Sequence, residues 1–213
     1  MYLFDLDGTL IDSNGVWQDV DRAFLARRGM PYTREYYEGV AHTILPLAAV
    51  FTKEYCRLDE SCEEIVAEWM ALAKDSYSHV KLKPFTIELL DRLKADGERL
   101  AIFTSAVPSH CETALEKHGL APYFERVVFA HDLGVDKGTA GAFRHACALL
   151  GVAPEACVFL DDSVKSCRAA KEAGLYVVGV YDPFFEEAKG EMPAACHRFI
   201  HSFAELIEHP VKL

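Results

Sequence analysis

The sequence predicts an α/β fold, a doubly wound parallel sheet with helices on both faces, together with a second, smaller all-helical domain. Three observations carry this. Short apolar runs of strand type recur at Tyr2 to Phe4, Leu100 to Phe103, Val127 to Phe129, Cys157 to Leu160 and Val177 to Val180, and such runs suit strands buried on both faces. Between the later runs lie stretches of helical period at Thr86 to Ala95, Cys111 to His118, Ala140 to Leu150 and Val164 to Ala173, each followed directly or one residue on by glycine, the usual helix stop. From about residue 14 to 79 the alternation breaks, and only helical pattern remains.

In chain order, the first strand ends where Phe4 gives way to Asp5. The Asp12-Ser13-Asn14 segment then leads into the helical stretch, with apolar positions at Val16, Val20, Phe24 and Leu25, then Ile44 to Phe51, then Ile65, Trp69 and Leu72. Gly29-Met30-Pro31 and Arg57-Leu58-Asp59 separate these helices, and Lys83-Pro84 closes the insert, the proline restricting the residue before it. Residues 1–13 and 81–213 are therefore expected to form one domain and residues 14–80 a smaller one, the two flanks acting as hinges. After the insert, strand and helix alternate to the fifth run, which implies right-handed βαβ units and a parallel sheet.

Composition limits the function. The 213 residues, 51% hydrophobic and 26% charged, fall within ordinary globular usage, so disorder and low-complexity repeats are excluded as the overall class. Lys plus Arg number 22 against 33 Asp plus Glu, a net charge of −11, with no basic cluster to track a phosphate backbone; nucleic acid is not an expected partner. Seven cysteines form an odd set without a C-x-x-C pair, which suggests neither a disulfide framework nor a zinc site. With no basic and apolar leader and no membrane-length apolar stretch, the expectation is a cytoplasmic protein, monomeric or weakly homodimeric, with no membrane partner.

In open parallel sheets the ligand site lies at the carboxyl ends of the strands. There this sequence places Asp5-Leu6-Asp7-Gly8-Thr9, Thr104-Ser105, Asp136-Lys137 ahead of the Ala140 helix, and Asp161-Asp162-Ser163. Carboxylates converging on one crevice repel unless a cation or a lysine stands among them. Hard oxygen ligands of this kind suit Mg²⁺, which is commonly completed by water and substrate phosphate. Taken singly, Asp7-Gly8 reads equally as turn chemistry, Thr104 or Ser105 as a helix cap, Asp161-Asp162-Ser163 as a helix start and Lys137 as a solvated lysine. Their joint order along one sheet edge favours the site.

Phe4-Asp5-Leu6-Asp7-Gly8-Thr9-Leu10-Ile11-Asp12 resembles the first motif of the haloacid dehalogenase superfamily. Ile102-Phe103-Thr104-Ser105 resembles its second motif, Lys137 its third, and Phe159-Leu160-Asp161-Asp162-Ser163 followed by Ala169 to Gly174 its fourth. The resemblance covers the predicted sheet domain and implies a Rossmann-like catalytic core of the phosphatase-like branch, with the insert as a helical cap that sets specificity. It implies that Asp5, the backbone carbonyl of Asp7, and Asp162 hold Mg²⁺. It also implies that Asp5 attacks phosphorus to give an aspartyl-phosphate, Asp7 serves as acid and then base, Thr104 and the Ser105 amide hold phosphoryl oxygens, and Lys137 pairs with phosphate and Asp5. The fourth motif departs from the commonest pattern: Asp161 stands where glycine is frequent, and Ser166 where a second aspartate is. Asp161 is kept as a ligand or a group behind the ligands, and the role of Ser166 stays open. Gly138 follows Lys137 where proline is frequent.

The resemblance thus implies a Mg²⁺-dependent phosphatase acting on a small phosphomonoester. Dehalogenases and phosphonatases typically lack a carboxylate at the position of Asp7. A β-phosphoglucomutase-like phosphomutase is the alternative, ranked second because those mutases tend to carry histidine where this chain has Trp17; a non-catalytic binding module of the same fold is a third. Trp17, Arg27, Arg28, Tyr36, Tyr37, His42 and Lys53 of the insert are the candidates for substrate selection.

Overall fold

The structure, a computed structural model, describes residues 1–40, 45–211 and 213. Its strands are β1 (Tyr2–Phe4), β2 (Ile11–Asp12), β3 (Lys81–Leu82), β4 (Leu100–Thr104), β5 (Arg126–Phe129), β6 (Val158–Asp161), β7 (Tyr176–Val180) and β8 (Arg198–Ile200). The helices are α1 (Val16–Arg27), α2 (Arg34–Val40), α3 (Leu45–Cys56), α4 (Cys62–Tyr77), α5 (Thr86–Ala95), α6 (Pro108–Lys117), α7 (Ala140–Leu149), α8 (Val164–Ala173), α9 (Met192–Ala195) and α10 (Ala204–Glu208). The chain divides into two compact units, Met1–Asn14 with Val80–Leu213, and Gly15–His79.

The first unit is built on a six-stranded sheet in the order β5-β4-β1-β6-β7-β8, parallel throughout. From β1 the chain builds outward to β4 and β5, then returns to the other side of β1 for β6, β7 and β8. The strand order reverses around β1, and in such sheets the crevice at the carboxyl ends opens at that reversal. The five apolar runs of the sequence all become strands, each end within one residue of its predicted place. Helix α6 begins earlier than its apolar pattern, at Pro108, where a first-turn proline loses no helical hydrogen bond.

Two features carry no sequence signal of the kind used above. Strand β8 lies at the sheet edge and buries only Ile200 fully. The pair β2 and β3 forms a two-residue antiparallel ribbon in which Ile11 faces Leu82 and Asp12 faces Lys81, so the two linkers flanking the insert are paired backbone. The core beneath the site is aromatic: Phe143 meets Phe103 and Phe159 edge-on, with centroids 5.2 and 4.8 Å apart, and all three rings are fully buried.

Every described element of the second unit is helical. Helix α1 buries Val16, Val20, Phe24 and Leu25, and α4 buries Ile65, Trp69, Ala73 and Tyr77, the spacing of one apolar face on each. Phe24 and Trp69 lock them with an edge contact at 5.6 Å. Ser61 and Glu64 form a reciprocal capping box at the start of α4, which satisfies two otherwise orphaned amides. Ile44 and His42 lie outside the described residues.

Candidate active site

Strand register sets the first contacts. Phe4 lies opposite both Ile102 and Leu160, and the ladder continues one step as the Asp5 amide donates to the Leu160 carbonyl at 2.9 Å. Paired residues of parallel strands point to the same side, so the next residues along, Asp5 and Asp161, stand side by side. The Lys137 ammonium donates to both, to Asp5 Oδ1 and, at 2.7 Å, to Asp161 Oδ2. It also lies over the Phe103 and Phe159 rings, 5.7 and 5.2 Å from their centroids, so this lysine is buried rather than solvated. Asp161 uses its other oxygen to accept the Ser163 amide at 2.6 Å.

After Asp5 the chain curls tightly: Leu10 and Ile11 donate back to the Leu6 carbonyl, and Gly8 donates to Ile11. Gly8 has φ +72, and a Cβ there would lie 2.1 Å from both Asn14 Nδ2 and Asp162 Oδ2. Only glycine meets both demands. The curl aims Asp7 at Ser13, whose hydroxyl donates to Asp7 Oδ1 at 2.5 Å. Asp162 is held by two neutral donors, Thr9 Oγ1 at 3.3 Å and Asn14 Nδ2 at 2.6 Å.

Asp5, Asp161 and Asp162 are all buried and each offers one carboxylate oxygen within 4.8 Å of the others. Burial pushes the Asp5 carboxyl well above the usual range; Lys137 opposes this, and the charges of Asp161, Asp162 and Asp7 add to it. Asp162 is pushed up to about 7 by burial first and then by the charge of Asp161. Burial alone would pull the Lys137 ammonium down, but the charges of Asp161 and Asp5 outweigh it and hold it above the ordinary lysine value. One ammonium facing three buried carboxylates leaves negative charge in excess, and this hard oxygen donor set fits a divalent cation.

The remaining predicted residues are placed differently from one another. Thr104 is buried at the end of β4, and its hydroxyl accepts the Ala106 amide at 3.0 Å, which leaves its proton to donate elsewhere. Ser105 is exposed. Ser166 is buried in the first turn of α8, its amide held by the Ser163 hydroxyl at 3.4 Å. Beside Gly138, the exposed Lys165 side chain reaches across to Asp136 at 2.5 Å, and a Cβ on Gly138 would only have to displace the flexible end of that lysine.

Several of the described insert residues singled out from the sequence have partners within the helical unit. Tyr36 is fully buried and shares a hydrogen bond with Thr52 at 2.9 Å. Arg28 pairs with Glu60 and Glu68, and Lys53 donates to the Glu60 carbonyl at 2.6 Å. Arg27 pairs with Glu68 from a more exposed position, Trp17 is 36% exposed, and Tyr37 is half-buried. Asn14 and Ser13 were read in the sequence only as linker residues; their bonds to Asp162 and Asp7 add them to the site.

Fold and crevice together define an α/β enzyme with an acidic, lysine-bearing site at the carboxyl edge of a parallel sheet. The family model for haloacid dehalogenase-like hydrolases matches residues 2–180, and the chain belongs to that family. It is 30% identical over 192 residues to the GMP/IMP nucleotidase YrfG of Escherichia coli K12, covering 85% of this chain and 82% of that protein. It is 28% identical over 198 residues to the validoxylamine A 7'-phosphate phosphatase of Streptomyces hygroscopicus subsp. limoneus, covering 89% of each. Among solved structures, a Thermotoga maritima protein assigned as a beta-phosphoglucomutase superposes with a TM-score of 0.84 at 23% identity, covering 97% of this chain and 96% of that one. At that identity the likeness is one of fold.

Proposed function

We propose that this chain is a Mg²⁺-dependent phosphatase that hydrolyses a small phosphomonoester through an aspartyl-phosphate on Asp5. The observation that carries the reading is the Lys137 bridge between Asp5 and Asp161, with Asp162 alongside, at the end of the central strand. Asp5, the Asp7 carbonyl and Asp162 would hold Mg²⁺. Asp161, whose oxygens already serve Lys137 and the Ser163 amide, stands behind them. The cation supplies charge that offsets the repulsion between a carboxylate and a phosphate dianion.

The chain's own groups then divide the work. Lys137 fixes the Asp5 carboxylate by one oxygen. That carboxylate forms the bond to phosphorus while the ester P–O bond breaks. Asp7, oriented by Ser13, gives its proton to the departing alkoxide and later takes one from the water that cleaves the aspartyl-phosphate, regenerating Asp5 and releasing inorganic phosphate. Thr104 and the Ser105 amide supply donors for the phosphoryl oxygens. We assign the helical unit the selection of substrate; its deletion should leave turnover of a small, unselective ester and remove discrimination.

One relative named above is a GMP/IMP nucleotidase and another a validoxylamine A 7'-phosphate phosphatase, so nucleoside monophosphates and sugar phosphates lead the test. Phosphate release from nucleoside monophosphates, sugar phosphates and phosphoglycolate should require Mg²⁺ and stop in excess chelator. Turnover unchanged by chelation would refute the metal role given to Asp5 and Asp162.

A further inference from the structure

We infer that Asn14 is a positioning residue for the metal site, setting the orientation of the Asp162 carboxylate through its side-chain amide. The inference rests on the reading of Asp162 as a metal ligand. Lys137 serves Asp5 and Asp161, whereas the hydrogen bonds found to the Asp162 side chain come from the Asn14 amide at 2.6 Å and the Thr9 hydroxyl at 3.3 Å, one to each oxygen. The difference matters. An ammonium neutralises the carboxylate it orients, while a neutral amide orients it and leaves its full charge for a cation. Hydrogen bonds behind a metal-ligating group fix its geometry and tune its affinity.

The backbone around this bond is shaped to it. Gly8 passes so close that a Cβ would lie 2.1 Å from Asn14 Nδ2 and 2.1 Å from Asp162 Oδ2, so glycine at this position leaves room for donor and acceptor to meet. A residue of the first linker thereby reaches a carboxylate 148 positions away in sequence. Asn14 is the last residue of the sheet-bearing unit before the helical insert begins.

Four proteins test this, the parent, Asn14→Ala, Asn14→Ser and Asp162→Asn, with Mn²⁺ as probe and free Mn²⁺ read by its paramagnetic resonance signal. Thermal unfolding with and without Mn²⁺ supplies a second readout. The expected result is a Kd for Mn²⁺ raised about tenfold or more in Asn14→Ala, within the range known for such outer partners, and a smaller rise in Tm on adding Mn²⁺. Asn14→Ser, whose hydroxyl ends short of Asp162, should behave like the alanine variant. If Asn14→Ala binds Mn²⁺ as the parent does while Asp162→Asn does not, the inference is overturned and the metal reading survives. Equal binding by parent and Asp162→Asn overturns both. A purely structural role would lower Tm equally with and without Mn²⁺ and leave Kd unmoved, and that result also rejects the inference.

Discussion

The sheet crevice and the helical unit each gather several charged side chains, and they treat them in opposite ways. In the helical unit Arg28 binds Glu68 at 2.8 Å and Glu60 at 3.0 Å, Arg27 binds Glu68 at 2.9 Å, and the Arg28 guanidinium lies 3.6 Å above the Phe24 ring. Two cations meet two anions there, and the hydrogen bond from Arg28 holds the Glu68 carboxyl below its ordinary range. In the crevice one lysine pairs with two of three buried carboxylates, and Asp5 and Asp162 are driven upward. A cluster whose charges close among themselves serves the fold. One with charge left over, held away from water, is arranged for something that arrives from outside.

The largest expected effect separates the two carboxylates of the first motif. Asp5→Asn keeps the shape and removes the proposed nucleophile, so turnover should fall by about 10⁴-fold or more. Asp7→Asn should still form phosphoenzyme from an activated aryl phosphate, whose leaving group needs no proton, and then hydrolyse it slowly. Rapid-quench measurement of phosphoenzyme decides; equal loss in both variants would show that Asp7 is needed for the attack itself.

Next in size is Lys137→Met, which leaves Asp5 and Asp161 buried without their cation. A loss of about 3 kcal/mol is expected from breaking a buried pair, seen in urea unfolding without divalent ions and partly recovered on adding Mg²⁺. A loss no larger than that of a surface lysine would erase the contrast between crevice and helical unit. In the helical unit, Glu68→Gln should cost only about 1 kcal/mol or less, and less again in high salt, because that cluster is partly exposed and screened.

The smallest effect concerns Asp21, which burial pushes up to about 7 against the hydrogen bond from Tyr36. A carboxyl whose folded value lies above its unfolded value of about 3.9 keeps its proton in the fold after the unfolded chain has lost it. Stability therefore falls as pH rises through that interval and levels off above about 7. Asp21→Asn should raise Tm at pH 8 by roughly 2–4 °C, the shift that about 1 kcal/mol gives at this chain length, and should change it little near pH 4. Equal shifts at both pH values would assign the gain to packing.

Much of this was legible in the sequence because it is local. The five apolar runs needed only their own residues to announce buried strands, and the polar residues after them marked the crevice. What stayed hidden depends on distant parts. The β2–β3 ribbon has two residues per strand, too few for any periodicity, and β8 is an edge strand without an apolar run. The bond from Asn14 to Asp162 joins residues that the fold alone brings together. The partners of Arg28 and Lys53 were hidden as well: Glu60, Glu68 and the Glu60 carbonyl lie on α4 or just before it.

Strand β1 lies between β4 and β6, and that placement sets a schedule for a chain made from its N-terminus. Strand β1 has no neighbour until residues 100–104 exist and no second one until residue 161. At about 5–20 residues per second, the wait for the second is roughly 8–30 s. The helical unit, complete at His79, can fold during that interval while Tyr2, Leu3 and Phe4 remain exposed. Nascent chains halted near residue 130 should therefore resist protease across residues 15–79 and remain open at the first strand, and only release past residue 161 should close the sheet around it.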